Sequence, residues 1–204
     1  NNNNNNNNNN KTLKLTMKDF ETLNNSNWLN DEVINAYVYM LNKKLVKDNQ
    51  NMYVWNTFFY ERLSASNTSF KKVVERWAKR AKIDIFKLDK MIVPIHDKGN
   101  HWTFACVNFH TSVITYYDSL GGDGKTHLDK LYSYLKEYYK KHNDNNIMER
   151  NFNLVSYETT PRQLNYTDCG VFMSMFIKSV CFGKDIHLIE QQFVPKYRVQ
   201  MILE

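Results

Sequence analysis

The strongest candidate for covalent chemistry in this sequence is Cys169. It follows a polar loop at 165–168 and begins an apolar stretch, 169–182, that is predicted to form a buried helix. A lone cysteine is more often a packed core residue, and Cys106, within a predicted strand, and Cys181, late in a predicted helix, are interpreted in that way. A thiol at a helix N-terminus, by contrast, faces unpaired N–H groups and the positive end of the helix dipole, which favour the thiolate. Gly170 is expected to leave room beside it for a substrate backbone.

A thiolate nucleophile needs a base, and His101 is the best placed of the six histidines. If strands 101–109 and 112–118 pair about a turn near residue 110, His101 and Asp118 fall at the same open end of a hairpin, as opposite or diagonal neighbours. The Asp118 carboxylate can then accept a hydrogen bond from one imidazole nitrogen and leave the other nitrogen for the thiol. The remaining histidines occupy polar or loop contexts and are interpreted as solvated: His96, His110, His127, His142 and His187.

Gln163 lies six residues before Cys169 in the same loop. A lone glutamine in a loop is usually solvated, so a role for Gln163 depends on its partnership with Cys169. Its side-chain amide is a candidate donor to the oxyanion of a tetrahedral intermediate, with the backbone N–H of Cys169 as the second donor. Each such donor typically lowers the barrier by about 3 kcal/mol. Together with His101 and Asp118, these residues predict acyl transfer through a cysteine nucleophile.

The elements that must position these residues follow from the hydrophobic periodicity. A helix is predicted from Asn30, capped by Asn30 or Asp31. Further helices are predicted at 69–82, 126–141, 169–182 and 188–203, and strands at 90–96, 101–109, 112–118 and 152–157. Helices come first, then a small, mostly antiparallel sheet, then a buried helix, which is an α+β pattern and not a regular alternating βαβ one.

Composition restricts the class of protein further. The 204 residues, 42% of them hydrophobic, predict one folded domain. Residues 1–10 are an unbroken asparagine tract, interpreted as a disordered tail or a placeholder, so the domain is assigned to 11–204, with a surface loop at 143–146. The net charge of +6 is modest, and no basic run is interleaved with aromatic residues, so nucleic acid is not an expected partner.

The three cysteines show no paired spacing, which argues against a disulfide framework and against a thiolate zinc site. We therefore expect a reducing intracellular compartment, the nucleus or the cytoplasm. No apolar stretch is long enough to span a bilayer. No cofactor and no metal are expected, and the catalytic domain is expected to be monomeric.

Five segments carry a resemblance to a known family: WLNDEVINAY at 28–37, FFY at 58–60, HW at 101–102, YDSL at 117–120 and QLNYTDCGVF at 163–172. In this combination and order, the sequence resembles the Ulp/SENP class of SUMO-specific (sentrin-specific) cysteine proteases. The resemblance covers the chain from about residue 13 to its C-terminus. It implies a papain-like α+β fold, with a small mixed, mostly antiparallel sheet flanked by helices and a buried helix carrying the nucleophile.

The resemblance also implies a reaction and a substrate. It implies hydrolysis after the C-terminal Gly-Gly of a ubiquitin-like modifier, in precursor maturation and in deconjugation from lysine side chains. It implies that Trp28 and Trp102 clamp the diglycine, and that Asp31 and Phe58 contact the body of the modifier. The other tryptophans, Trp55 and Trp77, are interpreted as core residues.

The sequence departs from the family pattern in the loop before the cysteine, where RQLNY at 162–166 replaces a loop that often contains proline and glycine. Gln163 is retained, so the oxyanion hole is expected to form. Two alternatives stay open: the same chemistry on another modifier such as NEDD8, and a catalytically silent modifier-binding module. An acyltransferase on a related fold is a third, but no site for an acyl donor is evident.

Overall fold

The computed structural model describes residues 14–65, 70–141 and 151–203. The asparagine tract at 1–10, the predicted loop at 143–146 and His142 lie outside the described residues. In this part of the chain the α-helices are α1 (Met17–Glu21), α2 (Asp31–Lys47), α3 (Thr57–Ala65), α4 (Phe70–Ala81), α5 (Lys125–Lys141), α6 (Cys169–Cys181) and α7 (Val194–Leu203). None of the described helices is both long enough and apolar enough to cross a membrane.

Five strands form one mixed sheet in the order β1-β2-β3-β4-β5. They are β1 (Met52–Val54), β2 (Lys90–Asp97), β3 (His101–Asn108), β4 (Val113–Tyr117) and β5 (Asn153–Ser156). The three central strands pair antiparallel, and the two edge strands add parallel to them. The predicted hairpin is present, because Asn108 pairs with Val113 across the turn. The predicted α+β class is therefore confirmed.

Helices cover both faces of the sheet, which explains why its central strands are apolar on both sides. Along β3, Phe104 and Cys106 face a core built with α2 and α6, whereas Ala105 and Val107 face a second core built with α3 and α5. This alternation is the period of two expected of a strand. The predicted core position of Trp55 is confirmed, since it is buried in the second core, and Trp77 is partly buried and packs against that core.

Asn30, one of the two predicted caps, begins α2: its side chain accepts a hydrogen bond from the N–H of Val33 at 3.0 Å. Asp31 is therefore the first residue of the helix and not its cap. Apolar side chains recur along the buried face of α2 from Val33 to Leu45, as the periodicity predicted.

Among the described residues, four elements were not predicted, and one prediction was too long. The short elements α1, α3, β1 and the 3₁₀ turn Ile85–Lys87 lie between longer periodic stretches and give weak patterns. The helix predicted at 188–203 instead consists of 3₁₀ turns at Ile186–Leu188 and Gln191–Phe193 followed by α7. Pro195 explains the break, because it has no N–H to donate to the carbonyl four residues earlier and is tolerated only in the first turn of a helix.

Candidate active site

Cys169 is the first residue of α6, and only 2% of its surface is exposed. Asp168 precedes it at the N-cap position but makes no side-chain hydrogen bond to the start of the helix. The thiol therefore lies beside the positive end of the α6 dipole, in the setting that the sequence predicted for it.

The structure brings His101 and Asp118 together. Nε2 of His101 lies 2.7 Å from Oδ1 of Asp118. The sheet register explains this contact: Phe104 pairs with Tyr117, so Asp118 follows the end of β4 while His101 begins β3, and the two residues are diagonal neighbours at one end of the hairpin. The backbone N–H groups of Leu120 and Gly122 donate to the same carboxylate at 2.7 Å and 2.8 Å. These bonds fix the carboxylate against the imidazole.

The surroundings of His101 favour its protonated form. Burial alone would lower its pKa, but hydrogen bonds and charge interactions with Asp118 and Cys169 outweigh burial and raise the pKa to about 9. Burial would raise the pKa of Asp118, but its hydrogen bonds to His101 and to the backbone lower it. With Nε2 committed to Asp118, Nδ1 is the nitrogen available to the thiol. The arrangement can therefore hold an imidazolium beside a thiolate.

Cys106 and Cys181 differ from Cys169 in their surroundings. Both are buried in the core and free of disulfides. Burial raises the pKa of each thiol to about 12. Both therefore stay protonated at neutral pH, which supports their interpretation as packing residues.

Gln163 is buried near the nucleophile loop, with 6% of its surface exposed. Its Oε1 accepts a hydrogen bond from Oγ of Ser119 at 2.6 Å, and its Nε2 donates to the carbonyl of Asn165 at 2.6 Å. The backbone N–H of Gln163 also donates to the carbonyl of Ser119 at 3.1 Å. An amide nitrogen carries two hydrogens, so one N–H of Gln163 remains for a further acceptor. The sequence did not single out Ser119 or Asn165, which orient this amide.

Cys169 lines a cleft of about 410 Å³, and all four residues implied to bind the substrate line it too: Trp28, Asp31, Phe58 and Trp102. Trp28 is 51% exposed, whereas Trp102 is 5% exposed. Nε1 of Trp102 donates to the carbonyl of Leu29 at 3.1 Å. One wall of the cleft is therefore fixed in the core, and the other projects toward solvent.

His127 contradicts its interpretation as a solvated residue, since only 15% of its side chain is exposed. His96 is exposed as predicted, but its ring also stacks on Trp102 with centroids 3.9 Å apart and an interplanar angle of 9°, and it lines the cleft. His127 bonds through Nδ1 to the hydroxyl of Tyr60 at 2.6 Å, and its Nε2 lies 3.2 Å from a carboxylate oxygen of Asp97. The contacts of His127 join α5 to α3 and β2, which are distant in the sequence, so the local context around this histidine gave no sign of them. His96 instead pairs with Trp102 directly across the β2–β3 hairpin.

The reason for a glycine at 170 also differs from the prediction. A Cβ at this position would lie 3.0 Å from Cβ of Leu29 and 3.2 Å from Cδ1 of Trp102. The space beside Gly170 is thus filled by the cleft wall. The glycine lets α6 approach that wall closely.

A family model and curated relatives both place this chain with the same group of proteins. The model of the Ulp1 protease family, C-terminal catalytic domain, matches residues 27–204. Sentrin-specific protease 2 of Homo sapiens is 32% identical over 195 residues, which cover 94% of this chain and 32% of that protein. Ubiquitin-like-specific protease 1 of Saccharomyces cerevisiae is 32% identical over 163 residues, covering 80% of this chain and 25% of that protein. The chain thus spans about a third or less of the length of these relatives.

Solved structures give the same result for the fold. The C-terminal Ulp1 protease domain in complex with SMT3, the yeast orthologue of SUMO, superposes with a TM-score of 0.78 and 27% identity, covering 93% of this chain and 81% of that one. The Ulp1-like SUMO protease catalytic domain of Chaetomium thermophilum has a TM-score of 0.75 and 25% identity, covering 92% and 76%.

Proposed function

This chain belongs to the Ulp1 protease family, and on that basis we propose that it is a cysteine protease that hydrolyses the bond after the C-terminal Gly-Gly of SUMO. The reaction includes maturation of modifier precursors and release of the modifier from lysine side chains. Residues 11–204 form its single catalytic domain.

One observation carries the proposal: the thiol at the N-terminus of α6 lines a cleft and interacts with a histidine that is itself bonded to a buried carboxylate. His101 is hydrogen-bonded to Asp118, and its interactions with both Asp118 and Cys169 raise its pKa. This is the relation of nucleophile, base and orienting acid that covalent hydrolysis needs. We assign these roles to Cys169, His101 and Asp118.

In the first half of the reaction, the Cys169 thiolate attacks the carbonyl carbon of the last glycine, and a C–S bond forms. The carbonyl oxygen becomes an oxyanion, which accepts hydrogen bonds from the free N–H of Gln163 and from the backbone N–H of Cys169. The C–N bond then breaks as the His101 imidazolium gives its proton to the leaving amine. The modifier is left as a thioester on Cys169.

In the second half, water attacks the thioester carbonyl while neutral His101 accepts a proton from it. The oxyanion forms again at the same donors, and the C–S bond breaks to release the modifier carboxylate. The thiolate and the imidazolium are restored, with Asp118 holding the ring orientation throughout.

The cleft accounts for selection of the Gly-Gly sequence. Flat indole surfaces of Trp28 and Trp102 leave width for a backbone without side chains and exclude bulkier residues. Asp31 and Phe58, which line the same cleft, contact the body of the modifier. The partner that fits these features is SUMO and its conjugates.

We further propose that the catalytic domain acts as a monomer, without nucleic acid, in the nucleus or cytoplasm, where a thiol nucleophile stays reduced. The free state of all three cysteines supports a reducing compartment. Light scattering of the purified chain measures its mass in solution and so tests whether it is a monomer. The location of a fluorescent fusion in cells tests the compartment.

The substrate is tested with fluorogenic C-terminal amides of SUMO, NEDD8 and ubiquitin at matched concentrations, with Cys169→Ser as the inactive control. We expect the highest kcat/KM on SUMO and no turnover by Cys169→Ser, which should still bind SUMO. A higher kcat/KM on NEDD8 than on SUMO would contradict the assignment of SUMO as the substrate. If no modifier were turned over and no adduct formed with a SUMO vinyl-sulfone probe, the chain would be a modifier-binding module and not an enzyme.

A further inference from the structure

We propose that Arg198 and Asp168 are positioning residues that hold the two sides of the catalytic cleft in register. This inference rests on the proposed function. The pair connects the segment before Trp28 with the loop before Cys169, so that one buried contact orders both a substrate wall and the nucleophile.

Arg198 lies in α7 with 2% of its surface exposed, which is rare for an arginine. Its Nη1 donates to the carbonyls of Thr22 and Asn24, both at 3.1 Å, and its Nη2 donates to the carbonyl of Asn27 at 2.8 Å. The last of these carbonyls belongs to the residue directly before Trp28. The planar guanidinium therefore organises the whole connection between α1 and the exposed cleft wall.

The same guanidinium reaches the other side of the cleft. Its Nη2 lies 2.6 Å from Oδ1 of Asp168, the residue directly before Cys169. Oδ2 of Asp168 accepts from Nδ2 of Asn165 and from Nε2 of Gln191, each at 2.7 Å. Burial would raise the pKa of Asp168, but these three hydrogen bonds lower it, so the carboxylate stays ionised.

From Asp168 the network continues to the proposed oxyanion donor. Oδ1 of Asn165 accepts from the backbone N–H groups of Thr167 and Asp168, both at 3.1 Å, which closes the loop before Cys169. The carbonyl of Asn165 accepts from Nε2 of Gln163 at 2.6 Å. A shift of Asp168 thus moves the thiol and the Gln163 amide together.

The network is suited to positioning because of where its two ends lie. A buried ion pair contributes little net stability, since the cost of removing both charges from water offsets their attraction. This pair nevertheless joins three segments that are distant in the sequence, and two of them end next to cleft residues. Loss of Arg198 should therefore affect binding at Trp28 and chemistry at Cys169, whereas loss of the Asp168 charge should affect mainly the chemistry.

The test compares Arg198→Met, Arg198→Lys and Asp168→Asn with the matched control Lys196→Met, which changes an exposed basic residue on the same helix. The concentration of competent thiol is measured first, by iodoacetamide alkylation and mass spectrometry. Molecules modified at Cys169 but not at the buried Cys106 and Cys181 are counted, so that unfolded protein is excluded. We then measure kcat and KM on the fluorogenic SUMO amide per competent thiol.

For Arg198→Met we expect kcat to fall by roughly tenfold or more and KM to rise severalfold, because a displacement of about 1 Å at a reacting centre can cost a hundredfold. Asp168→Asn should lower kcat with a smaller change in KM. Arg198→Lys should recover part of kcat, since an ammonium can reach Asp168 but cannot bond all three carbonyls. Lys196→Met should match the wild type.

Wild-type kcat and KM per competent thiol in Arg198→Met, with only a lower melting temperature, would overturn the proposal. Failure of the proposed function would be recognised separately, because the wild type itself would then not cleave SUMO. In that case the rate of Cys169 alkylation at pH 7 decides: a severalfold lower rate in Arg198→Met and Asp168→Asn supports positioning of the thiol, and an unchanged rate rejects it.

Discussion

Oδ1 of Asp118 lies 2.7 Å from Nε2 of His101, at the end of two strands whose register makes the two residues diagonal neighbours. Only 14% of the His101 side chain and 6% of the Asp118 side chain are exposed. Solvent therefore screens this pair weakly, and the carboxylate has a direct effect on the protonation of the imidazole. This effect sets the pH range in which His101 can donate a proton.

The first prediction concerns that pH range. His101 must carry its proton to release the leaving amine, and its pKa is raised to about 9, so activity should fall as the pH rises through about 9. Asp118→Asn removes the charge and weakens the hydrogen bond that raise this pKa. We expect the alkaline limb of kcat/KM to move to lower pH and kcat to fall by roughly a hundredfold. The loss should be smaller than for His101→Ala, because Asp118 acts through the base.

A matched control is available in a second histidine–carboxylate pair. Nε2 of His110 lies 2.8 Å from Asp89, but the His110 side chain is 73% exposed. Asp89→Asn should leave the pH profile of kcat/KM unchanged between pH 6 and pH 10. If Asp118→Asn also kept the wild-type profile, Asp118 would not be the orienting acid.

How much of this site the sequence could predict depends on how local each contact is. Hairpin register placed His101 beside Asp118, and the change from a polar loop to an apolar stretch placed Cys169 at the start of a helix. Arg198 could not be found in this way, because three of its partners are backbone carbonyls about 170 residues earlier in the chain, and the fourth, Asp168, lies on a different element. Backbone acceptors leave no trace in residue types.

The same argument covers the parts of the fold that were missed. Periodicity needs length, so α2 and β3 were predicted, whereas β1, with three residues, and α1, with five, were not. The space beside Gly170 was misjudged because the residues that fill it, Leu29 and Trp102, come from other elements. Local sequence patterns predict the type of an element, whereas its contacts depend on residues from other elements that pack against it.

The second prediction separates the two tryptophans of the cleft. Trp28 is 51% exposed, so Trp28→Ala should raise KM for the SUMO amide at least tenfold and change the free energy of unfolding by less than about 0.5 kcal/mol. Trp102 is buried and bonded to Leu29, so Trp102→Ala should also destabilise the fold, by about 3–5 kcal/mol. Urea unfolding and steady-state kinetics on both variants measure the two effects.

Leu188→Ala is the control for Trp28→Ala, because it removes another exposed apolar side chain, which is 70% exposed and is not among the residues that line the cleft. It should leave KM and stability unchanged. An unchanged KM in Trp28→Ala would show that this side chain does not form a wall of the diglycine site.

The third prediction concerns whether Gly170→Ala stabilises or destabilises the fold. Replacing glycine by alanine within a helix normally stabilises a protein by about 1 kcal/mol. At Gly170 the added Cβ would press on Leu29 and Trp102 at 3.0 Å and 3.2 Å, so Gly170→Ala should destabilise by about 1–3 kcal/mol and lower kcat/KM. Thermal unfolding with parallel kinetics tests this, and a stabilised, fully active variant would contradict the close contact.

The fourth prediction distinguishes a donor from the residue that orients it. Gln163→Ala removes a proposed oxyanion donor and should lower kcat by roughly 10²–10³-fold with little change in KM. Ser119→Ala keeps the donor but removes the hydroxyl that bonds Oε1 of Gln163 at 2.6 Å, so that the side-chain amide is held only through its bond to the Asn165 carbonyl. We expect a smaller loss, of roughly tenfold, and no further loss when Ser119→Ala is added to Gln163→Ala, since both act through one amide. Steady-state kinetics on the SUMO amide measure all three variants, and fully additive losses in the double variant would show that Ser119 does not work through Gln163.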